Sequence, residues 1–319
     1  MAASTQPTVA VLGEVLVDLA NTGGARYLAV PGGAPANVAV ALSRLGVTTE
    51  LIARISDDHL GEFVRAHLVA NGVGREYCVT ATEPTTLAVA TLSADKIATY
   101  AFYSQGTANW QWTGEELPAY LPPYVCALVT GSLALGLPPG AAVLEEFVET
   151  QYRHGRVLIA YDPNIRPTLA ASREEEVTRV ERQIRLAHLV KASEDDLKWL
   201  YPARDPRDVA RAWQEAYGGW VTVTRGPRGA FAICPSGEEV SVAGLAVQVV
   251  DTIGAGDAFL AGLLAGLADR GLFAALAAGT LKRLTTEIVA EIMSEAVLVA
   301  ALTCARAGAN PPTRLELSR

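Results

Sequence analysis

Asp251-Thr252-Ile253-Gly254-Ala255-Gly256-Asp257-Ala258-Phe259 is the stretch on which the reading of this chain turns. It follows the apolar run 246–250, which reads as a strand, and it opens an apolar helix over 258–269. Two glycines around Ala255 let the backbone turn sharply with its N–H groups outward. A helix N-terminus adds partial positive charge and further free donors. Together these make a seat for phosphate oxygens. Asp257 stands inside that seat, where a carboxylate repels an anion unless it has a task. The task that fits is accepting a proton from a hydroxyl that attacks phosphorus, and the helix N-terminus favours the ionised form it needs. Read alone, the same residues also describe a Gly-rich turn with Asp as an ordinary first-turn helix residue. Two other glycine motifs fit less well. A dinucleotide fingerprint wants a small residue where Phe259 stands and an early βαβ position. A phosphate loop ending in Gly-Lys-Ser/Thr is absent from the chain.

Working outward, apolar runs predict strands over 8–13, 50–55, 125–130, 156–161, 189–191, 220–224 and 230–233. Helices are predicted over 36–45, 59–70, 140–151, 172–186, 194–201, 208–216, 258–269 and 287–307. In the first of these, Val38, Leu42 and Leu45 recur at helical spacing and Gly46 ends the run. Ser56-Asp57-Asp58 offers capping groups for the second, which stops at Asn71-Gly72. Strands alternating with amphipathic helices specify an α/β fold, a doubly wound, mostly parallel sheet flanked by helices. Two segments break the alternation. Residues 85–92 and 96–103, rich in Thr, aromatic and β-branched residues, read as a hairpin about the turn Ser93-Ala94-Asp95. With 19–31 they form a small β-sheet lid, discontinuous over about 19–31 and 84–108, inserted into a single domain spanning 1–319.

Composition narrows the function classes. Half of the 319 residues are hydrophobic and 19% are charged, which excludes disorder. A formal net charge of −8 without a dense Lys/Arg cluster argues against a nucleic-acid partner. An anion must therefore be met by a local device such as the seat above. Four scattered cysteines without a C-x-x-C pair read as free thiols in a reducing cytoplasm. The four histidines lack ligand spacing, although His59 and His67 are placed to share a helix face. Residues 1–8 have neither a basic start nor an apolar core, and no apolar run reaches membrane-spanning length. The expectation is a cytoplasmic protein with no membrane partner.

The 251–259 stretch resembles the C-terminal signature of the ribokinase-like (PfkB-type) carbohydrate kinases, and the resemblance runs over about residues 8–313. Gly32-Gly33-Ala34-Pro35-Ala36-Asn37-Val38-Ala39 with Leu45-Gly46 is similar to the first family signature. Ile55-Ser56-Asp57-Asp58-His59-Leu60-Gly61 leading to Asn71-Gly72-Val73 resembles the next block, and Thr224-Arg225-Gly226-Pro227-Arg228-Gly229-Ala230 the nucleotide-side turn. Within the family the chain looks most like fructokinases. The resemblance implies phosphoryl transfer from ATP to a sugar hydroxymethyl group, with Mg2+. It implies Asp257 as the base and Gly254, Ala255 and Gly256 as an anion hole. It gives Asp251 and the Ile253 carbonyl to a monovalent-cation site of the K+ type, and Thr224, Gly226 and Gly229 to the nucleotide side. Asn310, in Gly308-Ala309-Asn310, falls in the part of the family near adenine.

On the sugar side it implies Asp18 as an acceptor for sugar hydroxyls and Gly32, Gly33 and Asn37 as the pocket floor. Asn37 also reads as a helix N-cap and Asp18 as a turn carboxylate. Asp162-Pro163-Asn164-Ile165-Arg166 ends a parallel strand, where open α/β sheets place ligands. It resembles a fructokinase D-P-N-x-R element, with Arg166 a planar clamp for an anionic group and Asn164 a polar contact. A loop ion pair with a Pro turn would leave the same sequence. In the element written N-x-x-E, Ser193 and Asp196 replace Asn and Glu, leaving Asp196 an outer-shell part through magnesium's water. In the lid, Tyr103 and Phe102 either stack on the sugar or pack the lid, and Ser104 stands where fructokinases often carry Arg. That departure leaves 2-keto-3-deoxygluconate, ribose or nucleoside kinases of the family as alternatives. A non-catalytic sugar or nucleotide sensor would be expected to lose the base or the anion hole, and both are intact. Exposed lid strands could pair between subunits, which suggests a homodimer.

Overall fold

The structure is a computed structural model that describes residues 7–92, 98–279 and 284–317. Fourteen strands are found among them. In chain order they are β1 (Thr8–Leu12), β2 (Leu16–Gly23), β3 (Arg26–Gly32), β4 (Thr48–Ile52), β5 (Arg54–Ser56), β6 (Val79–Ala81), β7 (Leu87–Leu92) and β8 (Ala98–Tyr103), then β9 (Val125–Gly131), β10 (Leu158–Asp162), β11 (Leu189–Ser193), β12 (Trp220–Thr224), β13 (Ala230–Ile233) and β14 (Glu239–Val242). The main helices are α1 (Ala34–Arg44), α2 (His59–Ala70), α3 (Gly140–His154), α4 (Arg173–Ile184), α5 (Glu194–Leu200), α6 (Pro206–Tyr217), α7 (Ala255–Asp269), α8 (Phe273–Ala277), α9 (Thr286–Cys304) and α10 (Arg314–Leu317).

Eight strands form the central sheet in the order β14-β13-β12-β11-β10-β9-β1-β4. The run from β12 to β4 is parallel, and β13 and β14 add an antiparallel edge. Period-two alternation divides each strand between two apolar layers. Val9 and Val11 pack with α1, α7 and α9 on one face. Ala10 and Leu12 pack with α3, α4, α5 and α6 on the other. Each fully buried Leu or Val contributes about 1.5–3 kcal/mol relative to exposure, and both layers are continuous. The strand order reverses at β1, which has β4 on one side and β9 on the other. Ligands in open α/β sheets bind beyond the strand C-termini at such a reversal.

The second sheet, β3-β2-β7-β8, has four strands. Its hairpin of β7 and β8 is antiparallel, as expected, and β7 runs parallel to β2. The expected turn 93–95 lies outside the described residues, as does Lys96. Asp58 fastens this sheet to the body. As the N-cap of α2 it accepts the Gly61 N–H at 2.7 Å, and it also accepts the backbone N–H and hydroxyl of Thr85 at 2.8 and 2.6 Å.

Three expectations are corrected. The run 50–55 is not one strand: Ala53 breaks it, and β5 leaves to pair with β6 in a separate two-stranded sheet. Among the described residues, 246–250 are not paired in a strand, and Val249 and Val250 are each 60% exposed. Their apolar character belongs to a cleft wall, described below. The α7 helix begins at Ala255 rather than 258, which puts Asp257 inside its first turn. The edge strand β14 and the short helices α8 and α10 have no counterpart in the sequence reading. No helix among the described residues is long and apolar enough to cross a membrane.

Candidate active site

A cavity of about 470 Å³ opens where β1, β9 and β10 end and α7 begins. Glu14, Asp18, Asn37, Phe102, Asn164, Arg166, Lys191 and Asp257 line it, with Gly254 and Gly256. Sequence separation hides this convergence: Asn37 on α1 donates from Nδ2 to Asp257 Oδ2 at 2.8 Å, across 220 residues. Asn37 therefore does not cap α1. It sits in the first turn, and the N-cap is Gly33, whose φ of 102° and close approach to the Glu14 carbonyl exclude a side chain. Burial raises the Asp257 carboxyl, while the Asn37 amide and the Lys191 and Arg166 charges oppose the rise. Desolvation thus works against the stabilisation that a helix N-terminus gives an ionised Asp.

Asp18 projects from β2, where it registers with Val30 on β3 and Ala88 on β7; Ala88 registers in turn with Phe102 on β8. These cross-strand neighbours share one face, and that face closes the cavity. Burial pushes the Asp18 carboxyl up to about 6, with Arg166 opposing and Asp257 adding to the rise. A side chain on Gly32 would collide with the Asp18 carboxylate, so the glycine makes room for it. Alternation also decides between the two aromatic residues. Phe102 lines the cavity, whereas Tyr103 faces outward and is 63% exposed. Tyr103 as a sugar contact is corrected accordingly.

The loop after β10 is held from three directions. Asn164, at a left-handed φ of 41°, receives support from Asp162 Oδ1, which accepts its N–H at 3.1 Å. Its amide donates to Ser132 Oγ at 3.3 Å, and Ser132 Oγ donates to Glu14 Oε1 at 2.7 Å. Arg166 Nη1 donates to Asn164 Oδ1 at 2.7 Å. Asp196 supplies the third support: its Oδ1 accepts the Ile165 N–H at 3.0 Å. Its Oδ2 accepts the Ser193 N–H and hydroxyl at 2.8 and 2.6 Å, closing a capping box at the start of α5. Ser193 and Asp196 are thus committed to the helix cap and the Arg166 loop and line neither cavity described here. A larger groove of about 850 Å³ runs beside the site and shares Ser132, Leu133, Asn164 and Arg166 with it. Its outer wall carries ion pairs such as Arg179–Glu176 and Arg182–Glu145. The smaller cavity is the one that holds Asp257.

On the far side of the α7 N-terminus lies a cleft of about 500 Å³, lined by Thr224, Gly226, Gly229, Ala255, Gly256 and Phe259. Leu245, Ala246, Val247 and Val249 form one wall, and Val297, Ala300, Ala301 and Cys304 from α9 the other. Here the exposed 246–250 run acquires its meaning: it presents apolar surface to whatever enters the cleft. Gly254 lies between Thr252 and Gly256, which both cavities share, at φ 75° and with Ala309 so close that a Cβ would meet it at 2.6 Å. Asp251 accepts the Ile253 N–H at 3.0 Å and the Gly308 N–H at 2.9 Å, fastening the 308–310 turn against this junction. Asn310 is not in the cleft. Its side chain accepts from Arg44 Nη1 and lines a separate surface hollow with Arg306 and Glu316, which corrects the expected place near a base.

Sequence reasoning missed Glu14 and Lys191. Lys191 is buried, its ammonium 2.7 Å from Asp162 Oδ2. A lysine in an apolar strand was itself the available signal, since Lys is almost never fully buried unless paired.

A polar cavity with a carboxylate at a helix N-terminus, backed by an anion seat and an apolar cleft, is the arrangement of a phosphoryl-transfer site. The profile of the pfkB family carbohydrate kinases matches residues 6–315. The chain belongs to this family. It is a sugar kinase of fructokinase-like type. This pfkB kinase is 35% identical over 259 residues to a fructokinase of Rhizobium leguminosarum bv. trifolii, covering 80% of the chain and 78% of the relative. It is 35% identical over 267 residues to a fructokinase of Klebsiella pneumoniae, covering 82% and 85%. Among solved structures, fructokinase from Vibrio cholerae O395 with fructose, ADP and calcium ion bound superposes with a TM-score of 0.85 at 26% identity, covering 99% of both chains. Aminoimidazole riboside kinase from Salmonella enterica, complexed with aminoimidazole riboside and an ATP analog, gives 0.81 at 26% identity over 98% of both chains.

Proposed function

We propose that this kinase phosphorylates a hydroxymethyl group of a ketohexose, fructose first, at the expense of ATP. The observation that carries the reading is the Asn37–Asp257 contact, which sets a carboxylate between a hydroxyl-binding cavity and an anion seat. ATP lies in the apolar cleft with its phosphates on the N–H groups of Gly254 and Gly256 and on that of Ala255, which turns to it from the Thr252 carbonyl it meets at 3.3 Å. The sugar sits against Asp18 and Asn37, and the four-stranded sheet acts as a lid that excludes water, a competing acceptor. The acceptor oxygen attacks the γ-phosphorus as its proton passes to Asp257. The bond to the ADP oxygen breaks in line, and Asn37 holds the carboxylate's second lobe in place.

Mg2+ is implied by the family. Among the described residues no group of three or more His, Cys, Asp or Glu is placed to hold a metal ion, and both Asp196 oxygens are occupied. The donor set does not fit a protein-built magnesium cage, so no step is assigned to the ion. A nucleotide-borne magnesium keeping its waters needs none. A K+ site at Asp251 and Ile253, a homodimer through the lid strands and a cytoplasmic setting belong to the same reading, the last supported by four free cysteines.

ATP-coupled turnover over a panel of ketoses, aldoses, sugar acids and nucleosides tests the proposal. Fructose is expected to give the highest kcat/KM. A sugar-acid acceptor is the second reading, because Arg166 lines the cavity and its guanidinium donates hydrogen bonds only within its own loop among the described residues. Turnover of 2-keto-3-deoxygluconate without turnover of neutral ketohexoses would replace fructose by it.

A further inference from the structure

Glu14 takes no part in the transfer step, yet it lines the acceptor cavity and is only 1% exposed. Burying a carboxylate is costly, and an apolar side chain of like volume would serve packing as well. Among the described residues, both hydrogen bonds that reach its carboxylate from another residue come from one segment. Oε1 accepts the Ser132 hydroxyl at 2.7 Å and Oε2 accepts the Ala134 N–H at 3.2 Å.

Ser132 is itself held at a cost. Its φ of 52° with ψ of −152° suits glycine and strains a side chain. Its hydroxyl does not cap the short helical turn that follows, so capping does not explain it. Among the described residues, only Ser132 and Asn164 combine a side chain with a positive φ, and the two touch. Asn164 Nδ2 donates to Ser132 Oγ at 3.3 Å. Backbone strain of this kind gathers at functional sites.

The hydrogen bonds through these residues run in one direction. Arg166 has donors only, so Asn164 must turn its carbonyl oxygen to Nη1, at 2.7 Å. The Asn164 amide nitrogen, a donor, then faces Ser132 Oγ, which must accept. That leaves the Ser132 proton for Glu14, whose oxygen must accept in turn. Arg166 is exposed, and its other hydrogen bonds go to the carbonyls of Asn164 and Ile165. Among the described residues, the Asn164 side chain therefore links the guanidinium to the ends of β9 and β1. The charges at the two ends act on each other: burial raises the Glu14 carboxyl, and the Ser132 hydroxyl, the Ala134 N–H and the Arg166 charge oppose the rise.

We propose that Glu14 is a positioning residue which, through the Ser132 hydroxyl and the Asn164 amide, sets the direction in which Arg166 presents its guanidinium to the cavity. The inference rests on the proposed function, in which Arg166 meets an anionic group there. With a neutral ketose that group is the phosphoryl group in transfer, so a misdirected guanidinium costs kcat rather than sugar affinity.

The test is steady-state kinetics with ATP and fructose, with thermal melting, on Glu14→Gln, Ser132→Gly and Arg166→Met, and on each of the first two combined with Arg166→Met. Glu14→Gln keeps the shape but offers one acceptor where the carboxylate offers two. It must either abandon the Ala134 N–H or donate to Ser132 and reverse the chain. Ser132→Gly removes the hydroxyl and should melt near the wild type, because relief of the strained φ offsets the lost hydrogen bond. Both should lower kcat by about tenfold to a hundredfold, the cost of a clamp displaced by about 1 Å, with KM for fructose changed less than about threefold. In the Arg166→Met background neither should cost more than about threefold further, since groups that act through one another are not additive.

A merely structural Glu14 would give the opposite pattern: full additivity with Arg166→Met, and activity that follows the melting temperature. Either result would overturn the proposal, as would wild-type kcat in a folded Ser132→Gly. Ser132→Gly carries the decision if Glu14→Gln does not fold, and if neither folds the segment is structural and the proposal falls. A kcat within about threefold of wild type in Arg166→Met would overturn the reading of Arg166 beneath it, and the relay with it. A defect in Arg166→Met with none in Glu14→Gln would overturn the relay alone.

Discussion

On one side of the α7 N-terminus five ionisable side chains converge from four separate parts of the chain: Glu14 and Asp18, Arg166, Lys191 and Asp257. On the other side the cleft is walled mainly by alanines, valines and glycines, with two threonines and, among the described residues, no charged side chain. The two cavities are of similar size and share Thr252 and Gly256. In the proposed reading the acceptor side meets its ligand through side-chain hydrogen bonds. The proposed nucleotide side would read through shape and backbone. Polar substitutions should therefore be steep and selective on the first side, and only bulk should matter on the second.

Gly254→Val should have the largest effect, because it strikes the junction. It forces a β-branched residue to φ 75° and drives its Cβ into Ala309. Turnover should fall by about a hundredfold or more, the scale of a damaged anion hole, with KM rising for both substrates. A change confined to one substrate would break the idea of a shared seat. Next comes Asp18→Asn, which should raise KM for the sugar about tenfold to a hundredfold, the worth of hydrogen bonds to a charged group, with KM for ATP unmoved. The wild-type KM for sugar should also rise as pH falls through about 6, because the protonated carboxyl loses acceptor capacity. The Asn variant should be flat there. Ala301→Leu intrudes on the cleft from α9 and should raise KM for ATP by about tenfold, an overpacking cost of 1–3 kcal/mol. Sugar KM should stay constant. Asn310→Ala should change either KM by no more than about twofold, as for a surface site. A tenfold rise in KM for ATP would return Asn310 to the nucleotide side.

Much of this contrast was legible, though unevenly. The anion seat and Asp257 are contiguous, so their chemistry is written in one stretch. The doubly wound sheet followed from alternation, and the α2 cap from Asp58. The partnership of Asn37 with Asp257 could not be read from spacing, since it depends on where α1 and α7 meet. Asp196 was assigned to magnesium, yet Ser193-x-x-Asp196 is also the spacing of a capping box, and that is the role seen. Residues 246–250 were misread for a related reason. An apolar run signals a surface to be covered, whether by a strand neighbour or by a ligand, and the sequence pattern does not separate the two. Tyr103 and Phe102 were indistinguishable until the register with Ala88 fixed which one faces inward.

The central claim is that Asp257 takes the acceptor's proton where the two cavities meet. Turnover by Asp257→Asn, with calorimetric binding of fructose and of ATP, tests it most directly. The account predicts a loss of kcat of about a thousandfold, with both dissociation constants within about threefold of wild type and an unchanged melting temperature. A kcat within tenfold of wild type in a folded, ligand-binding variant would contradict it.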